Sequence, residues 1–494
     1  MLNQIAGIAT VMFVAICTIA AFRYGKNNEV GKALVLIFAC GLVLRIFSGT
    51  DFYLNPWDER YHALAAKSLL DHPLTPTLYD DPALDYDYRD WVNNHIWVHK
   101  PPMTLWMMAA SMKIFGINEI AVRVPSILFS SLGIFLTFFI AKHFFDDKIA
   151  LLASFFYAIN GLLIDLAVGH QPTDHPDTLF IFFVELGIFF SVYYLHRPSS
   201  AALFLVGVAT GFSVLTKWLP GLIVIAILFL LLLHKESWKK ATLHCLIVFA
   251  IAFIVFIPWQ IYIYSAFPKE AAWESYFNYR HLFEPLDGHD GTVFYQLAMM
   301  PRIFGELIYI PLLLFFYSLY KRQFSADKLV LVLWFALPYL FFSFVATKMP
   351  GYVMISAPAI FIMLSWAFWA INEKMKNPKY RIATIFLLAL LIVLPIRYSI
   401  ERVKPFENKD RNPGWTKELR KLENKVGASK AAVFNIEHYI EAMFYANVSA
   451  YPFIPDQKQI DKAVGRGFKV FIYDDSRIPP EIRHQHNVFV LSHD

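Results

Sequence analysis

Long apolar runs separated by short polar turns fill most of this 494-residue chain. A helix crosses a bilayer with about 20 apolar residues, or fewer where its ends snorkel. Twelve segments meet that pattern: 5–22, 33–49, 126–141, 149–167, 178–195, 201–216, 218–233, 241–258, 304–320, 329–346, 352–371 and 382–397. The run 201–233 is divided at Thr216-Lys217-Trp218. Two regions break the rhythm. Residues 50–122 are polar overall, yet 60–70 read as an amphipathic helix, and 101–115 as an apolar helix too short to span. Lys100 and Lys113 flank the latter, which places it in the membrane interface. After Arg397 charge and turn residues rise. Strands are predicted at 431–435, 468–473 and 487–491, with helices at 440–446 and 457–464. The expected fold class is a polytopic α-helical membrane protein of about 12 spans with a small C-terminal extracytoplasmic α/β domain. The expected domains are 1–400, carrying a polar outer loop at about 50–122, and 401–494.

Composition agrees. The chain is 57% hydrophobic and only 17% charged, against the 45–50% apolar content of soluble domains. Its net charge of +5 does not indicate a nucleic-acid partner, because the cations sit in short loops where topology accounts for them. Arg23, Lys26, Lys32, Lys142, Lys148, Arg197, Lys235, Lys239, Lys240, Lys321, Arg322, Lys328, Lys374, Lys376, Lys379 and Arg381 occupy alternate loops, which the positive-inside rule makes cytoplasmic. The loop after Asp51, the segment 170–177, the loop 259–302 and both termini then lie outside. The first apolar segment lacks a charged start and a small-residue cleavage site, so it reads as a retained span. Cys17, Cys40 and Cys245 all fall in spans, and no structural disulfide is expected.

Five polar constellations emerge on the outer side: Asp58-Glu59; His99-Lys100-Pro101-Pro102; the cluster from His170 through Asp174 and His175 to Asp177; His281 with His289-Asp290-Gly291 and Tyr295; and Lys348-Met349-Pro350-Gly351-Tyr352. Acids beside a bilayer are costly and mark function by default. A carboxylate there can act as general base toward a hydroxyl. Lysines can hold a phosphate, and aspartate with histidine can hold a divalent metal. Plainer roles exist for each. Asp58-Glu59 suits the start of the following helix. Lys100 and Lys348 suit span ends as snorkelling cations. The 170–177 cluster suits a polar turn, and no histidine pair has tight metal-ligand spacing. No glycine-rich phosphate loop is present, which argues against a nucleotide ligand.

Taken in order, Asp58-Glu59-Arg60-Tyr61-His62-Ala63-Leu64-Ala65, His99-Lys100-Pro101-Pro102-Met103, Lys113-Ile114-Phe115-Gly116, Arg123-Val124-Pro125-Ser126, Leu215-Thr216-Lys217 and Lys348-Met349-Pro350-Gly351-Tyr352 resemble the polyprenyl-phosphate-sugar-dependent glycosyltransferases of the GT-C superfold. The likeness covers about 51–371. It is to the protein O-mannosyltransferase-like group that includes the lipid A aminoarabinose transferase. It implies inverting sugar transfer at the outer face of a bacterial inner membrane. The donor would be carried on polyprenyl phosphate, such as undecaprenyl phosphate, and the acceptor would be an envelope glycolipid such as lipid A, a glycan or a protein. By the same likeness Asp58 is the catalytic base, Glu59 supports it, and Asp177 is a second acid. Arg60, Tyr61, Lys100, Lys217, Tyr295, Lys348 and Tyr352 bind substrate. His99 stands where relatives carry a glutamate implicated in metal binding, so His99 and His289 are the candidate ligands for a divalent metal, Zn, Mg or Mn. The segment at Trp273 to Arg280 matches the group loosely, and the first span has no counterpart.

Two other readings compete. A flippase for lipid-linked saccharides would place ionisable groups at mid-membrane on related halves; here the charged clusters gather at one face. A non-catalytic family member would have no need of Asp58.

Overall fold

The computed structural model describes residues 2–321, 328–373, 381–427 and 430–492. Of the expected cytoplasmic cations, Arg322, Lys374, Lys376 and Lys379 lie outside them. The chain forms two compact units. A span-bearing unit contains the residues up to Gly49, Ser126–Ile261 and Phe277–Lys409. A sheet-bearing unit contains Thr50–Pro125, Tyr262–Tyr276 and the chain from Asp410.

Among the described residues, eight helices are long and apolar enough to cross a membrane: Asn3–Lys26, Val30–Ser48, Glu119–Phe144, Asp174–His196, Ser200–Lys217, Trp238–Ala266, Pro350–Glu373 and Arg381–Val403. The other four expected spans depart from a straight crossing. The 149–167 run is two helices, Asp147–Ile159 and Gly161–Ala167, bent by 53°. Asn160 makes the break: its side chain accepts from Leu163 N–H and donates to Ile303 O at 2.8 Å. The 304–320 run begins earlier, at Tyr295, and turns by 109° between Tyr295–Phe304 and Tyr309–Tyr320. Gly305 takes φ +98° there, and a Cβ on it would lie 3.0 Å from Pro395. Leu219–Leu233 and Leu329–Phe344 are apolar but shorter. The division at Thr216-Lys217-Trp218 is present, with Trp218 at φ 66° ending the helix.

Short connections are fixed by their own polar residues. Asp146 accepts from the N–H groups of Lys148 and Ile149, and Ser199 accepts from Ala202 N–H, closing otherwise unsatisfied helix starts. Small residues let helices approach closely, as expected where hydrophobicity does not drive helix association. A Cβ on Gly207 or Gly211 would stand 2.6 Å from Ile251 or Val255. Two ionisable groups inside spans take local partners. Arg45 donates to Ser130 and to the carbonyls of Gly41 and Ala158, and Glu185 accepts from Thr137.

The sheet-bearing unit holds four parallel strands, β1 (Ala431–Phe434), β2 (Ser449–Ala450), β3 (Lys469–Tyr473) and β4 (Val488–Leu491), in the order β2-β1-β3-β4. Ala432 pairs with Ser449 on one side and Val470 on the other, and Val470 with Val488. Parallel strands need crossovers, supplied by Tyr439–Tyr445, Gln457–Gly465 and Pro480–Arg483. The core joins β1 and β3 to helices from the first half of the chain. Val433, Phe434 and Ile472 belong to one cluster with Leu64, Leu69, Leu78 and Met108.

Candidate active site

In the sheet-bearing unit the helix Asp58–Ser68 opens with both acids in its first turn, where the helix dipole favours carboxylates. The two then take different surroundings. Glu59 is fully buried, as is Arg123, whose Nε lies 2.7 Å from Glu59 Oε1. Arg123 Nη2 donates to Glu59 Oε2 at 2.9 Å, and Asn55 adds its backbone N–H and side-chain amide to the same oxygen at 2.6 and 2.7 Å. The guanidinium also donates to Asp51 O and Tyr53 O. Glu59 therefore pins the chain that leads into the helix. Asp58 keeps a side chain 34% exposed, with Lys100 Nζ 3.7 Å from its Oδ2. One acid is structural and the adjacent one is presented to solvent beside a cation.

Arg60 and Tyr61 face the C-terminal part of the same unit. Arg60 Nη1 lies 3.5 Å from Glu441 Oε1, and the Tyr61 and Tyr439 hydroxyls are 3.0 Å apart. His99 pairs through Nδ1 with Glu274 Oε2 at 2.8 Å and packs against Trp91 and Trp97. Burial holds His62, one turn beyond Asp58, down at about 3, so its ring is neutral at ordinary pH.

In the span-bearing unit three predicted residues come together. Asp177, in the first turn of Asp174–His196 and 2% exposed, forms an ion pair with Lys217 and accepts from Thr173 Oγ1. The Lys217 ammonium sits 4.7 Å above the Tyr352 ring, and Tyr352 packs on Phe342. Gly351 makes room, since a Cβ there would stand 2.9 Å from Asp177 Oδ2. The 170–177 constellation is otherwise dispersed. His170 lies 3.6 Å from Asp165, which pairs with Arg402, while His175 bonds Ser126.

Lys348 is held by backbone carbonyls. Nearly buried, it donates to Phe342 O at 3.2 Å and Ser343 O at 2.6 Å, the last carbonyls of Leu329–Phe344. Its backbone N–H bonds His289 O at 2.9 Å. A Cβ on Gly291 would meet both Tyr295 and Lys348. Thr347 stitches the layer by accepting from Leu286 N–H and donating to Glu284 O. Lys348, His289 and Tyr295 thus share one packed loop layer.

The family described as dolichyl-phosphate-mannose-protein mannosyltransferase matches residues 99–262. A protein of Aquifex aeolicus is 28% identical over 393 residues, covering 75% of this chain and 70% of its own. The undecaprenyl phosphate-α-4-amino-4-deoxy-L-arabinose arabinosyl transferase 2 of Pseudomonas fluorescens is 26% identical over 278 residues, covering 54% of this chain. This chain spans 49% of that transferase's length. Among solved structures, ArnT from Cupriavidus metallidurans bound to undecaprenyl phosphate superposes with a TM-score of 0.60 at 17% identity, over 88% of this chain and 87% of that one. The chain has the fold of the GT-C glycosyltransferases. It is similar to the lipid A aminoarabinose transferase, and its run of membrane-length helices makes it a multi-pass membrane protein.

A metal centre fits the predicted ligands poorly. Among the described residues no group of three or more His, Cys, Asp or Glu side chains is arranged to hold an ion. His99 pairs with Glu274, and His289 contributes its backbone carbonyl to Lys348. Sequence reasoning missed the roles of Arg123 and Glu274. Arg123 stood in the quoted Arg-Val-Pro-Ser stretch, and a lone arginine beside a span was the available signal. Glu274 lies in the stretch that matched the group only loosely.

Proposed function

We propose that this protein is a membrane glycosyltransferase that moves one sugar, with inversion, from a polyprenyl-phosphate carrier to a hydroxyl or phosphate of an envelope acceptor. The acceptor is a glycolipid such as lipid A, a glycan or a protein. The GT-C fold, together with similarity to undecaprenyl-phosphate aminoarabinose transferases, supports the donor class. The observation that carries the reading is the division of labour between adjacent acids: Glu59 is locked to Arg123 while Asp58 stays half-open beside Lys100.

In this reading Asp58 takes the acceptor's proton, and the acceptor oxygen attacks the anomeric carbon from the face opposite the phosphate. The bond from that carbon to the phosphate oxygen breaks, and its electron pair leaves with the carrier phosphate. Cations that stabilise charge developing on a leaving group speed such a step. Lys217 is suited to this, with Asp177 and Tyr352 holding its ammonium in place. Lys348, Tyr295 and His289 support the surrounding layer. The stretch at about 50–122 carries the base, and it belongs with Tyr262–Tyr276 and the chain from Asp410 to the sheet-bearing unit, so the expected boundary near 400 does not separate the base from the C-terminal strands. The protein works in the bacterial inner membrane with Asp58 facing the periplasm.

The test is transfer from a radiolabelled polyprenyl-phosphate sugar to an envelope fraction. Asp58→Asn is expected to lower the rate about 10²–10⁴-fold with an unchanged melting midpoint. Equal transfer by both proteins would remove Asp58 as base, and no transfer by wild type would overturn the enzyme reading.

A further inference from the structure

The sheet-bearing unit contains an open cavity of about 660 Å³ that the transfer chemistry above does not use. Its volume falls inside the roughly 300–1,000 Å³ range of small-ligand sites. Six residues give it character: Asp81, Asp85, Tyr86, His95, Lys430 and Arg466. Lys430 precedes β1, and Arg466 precedes β3, so the cavity lies at the N-terminal ends of these parallel strands.

Among the lining side chains the charges are paired: Lys430 with Asp81 at 2.6 Å and Arg466 with Asp85 at 3.2 Å, and Asp85 is also held by Lys462 from outside the lining. A phosphate or other anion would need cations in excess, and the lining offers two cations against two carboxylates. The paired side chains are 38–70% exposed. Exposed ion pairs contribute only about 0–1 kcal/mol, so these groups can exchange partners for ligand hydroxyls at little cost. Aromatic surface is also present. The Tyr86 and His95 rings stack with centroids 4.9 Å apart at 29°, and the Tyr79 ring is tilted against His95 at 5.3 Å. His95 Nε2 is buried and finds no hydrogen-bond partner among the described residues. Carboxylates and a guanidinium for hydroxyls, with a ring for an apolar C–H face, match the alternating chemistry of a sugar.

The cavity is also connected to the base. The Tyr86 hydroxyl donates to Glu270. One turn further along Pro268–Phe283, Glu274 pairs with His99. Lys100 follows His99 in the chain and stands beside Asp58.

We propose that this cavity binds a neutral saccharide, the glycan portion of the acceptor. The assignment to the acceptor rests on the transfer reading; the binding itself does not. The experiment uses the full chain in detergent and fluorescently labelled neutral oligosaccharides, prepared by dephosphorylating envelope glycans, with anisotropy as the readout. Wild type is expected to bind. Tyr86→Ala and Arg466→Ala are each expected to weaken binding about tenfold, as loss of one aromatic or charged hydrogen-bond contact does. Tyr86→Phe keeps the ring, gives up Glu270, and is expected to bind within about twofold of wild type. Melting midpoints identify any variant that fails to fold; if Tyr86→Ala does, folded Arg466→Ala decides, and undiminished binding by it overturns the proposal. Failure of wild type to bind any neutral oligosaccharide would overturn the proposal. So would undiminished binding by folded Tyr86→Ala, displacement by excess inorganic phosphate, or preference for an unglycosylated peptide. Glycan binding by a wild type that transfers no sugar would leave the cavity assignment standing and remove only the transfer reading.

Discussion

Replacing Glu59 by Gln isolates the cost of one buried charge. The side chain keeps its volume and still offers a carbonyl to Asn55 N–H, so packing changes little. What disappears is the counter-charge to Arg123, a guanidinium with no exposed surface held at 2.7 and 2.9 Å by two carboxylate oxygens. With charge centres about 4 Å apart, the pair's attraction is about 4 kcal/mol at an effective dielectric of 20. Desolvating the two ions offsets most of that, so the intact pair adds little net stability, while removing one partner costs about 3–5 kcal/mol. At about 2–4 °C per kcal/mol for units of this size class, the melting midpoint is expected to fall by about 6–20 °C. Scanning fluorimetry at matched heating rates reads it. The double variant Glu59→Leu with Arg123→Met is expected to recover much of the loss, because no charge then remains buried. Asp58→Asn, one residue away and partly exposed, is expected to melt within about 1 °C of wild type. A Glu59→Gln midpoint within about 2 °C of wild type would refute the argument, as would a double variant no more stable than the single one.

Two further outcomes follow from the same geometry. His62 carries its proton in the unfolded chain below about 6.5 but in the folded unit only below about 3. The unfolded state therefore binds more protons between those values, and its stabilising contribution, complete above pH 6.5, is lost as pH falls. About 2 kcal/mol should be gone by pH 5, and His62→Phe should flatten the melting-midpoint profile between pH 7 and 5; an unchanged slope would contradict this. Lys217→Met is expected to weaken binding of tritiated undecaprenyl phosphate about 10–100-fold, the value of one charged hydrogen bond. Pairing it with Asp177→Leu should restore stability and leave the weak binding as it is; recovery of affinity would show that Lys217 acts only on the fold.

The sequence was most readable where one physical rule acted alone. Unbroken apolar runs marked the spans, and the switch to short β-branched runs after Arg397 marked β1, β3 and β4. β2 is two residues, Ser449–Ala450, too short to carry a period. The bends at Asn160 and Gly305 escaped because each depends on a partner distant in sequence, Ile303 or Pro395. Asp177, Lys217 and Tyr352 were chosen separately and meet in one cluster. Asp58 and Glu59 were chosen as a pair and separate, because Glu59's partner is 64 residues away and no local pattern announces it. Lys348 has two sequence readings, phosphate ligand and span-end lysine, and its contacts with the carbonyls of Phe342 and Ser343 were announced by neither.

The packing around the helix Asp58–Ser68 also sets a schedule for biosynthesis. Lys67 donates to the carbonyls of Met443 and Phe444, Tyr79 donates to Ala450 O, and Tyr451 accepts from Ala83 and Leu84 N–H. Tyr79 and Ala450 are 371 positions apart. At roughly 5–20 residues per second, a ribosome needs about 20–75 s to deliver the second after the first. Through that interval Leu64, Leu69 and Leu78 lack the strands that will cover them. The acid-bearing segment reaches its native surroundings only when the last part of the chain arrives, so an interrupted translation product is left with a sticky, unfinished loop that quality-control proteases can recognise.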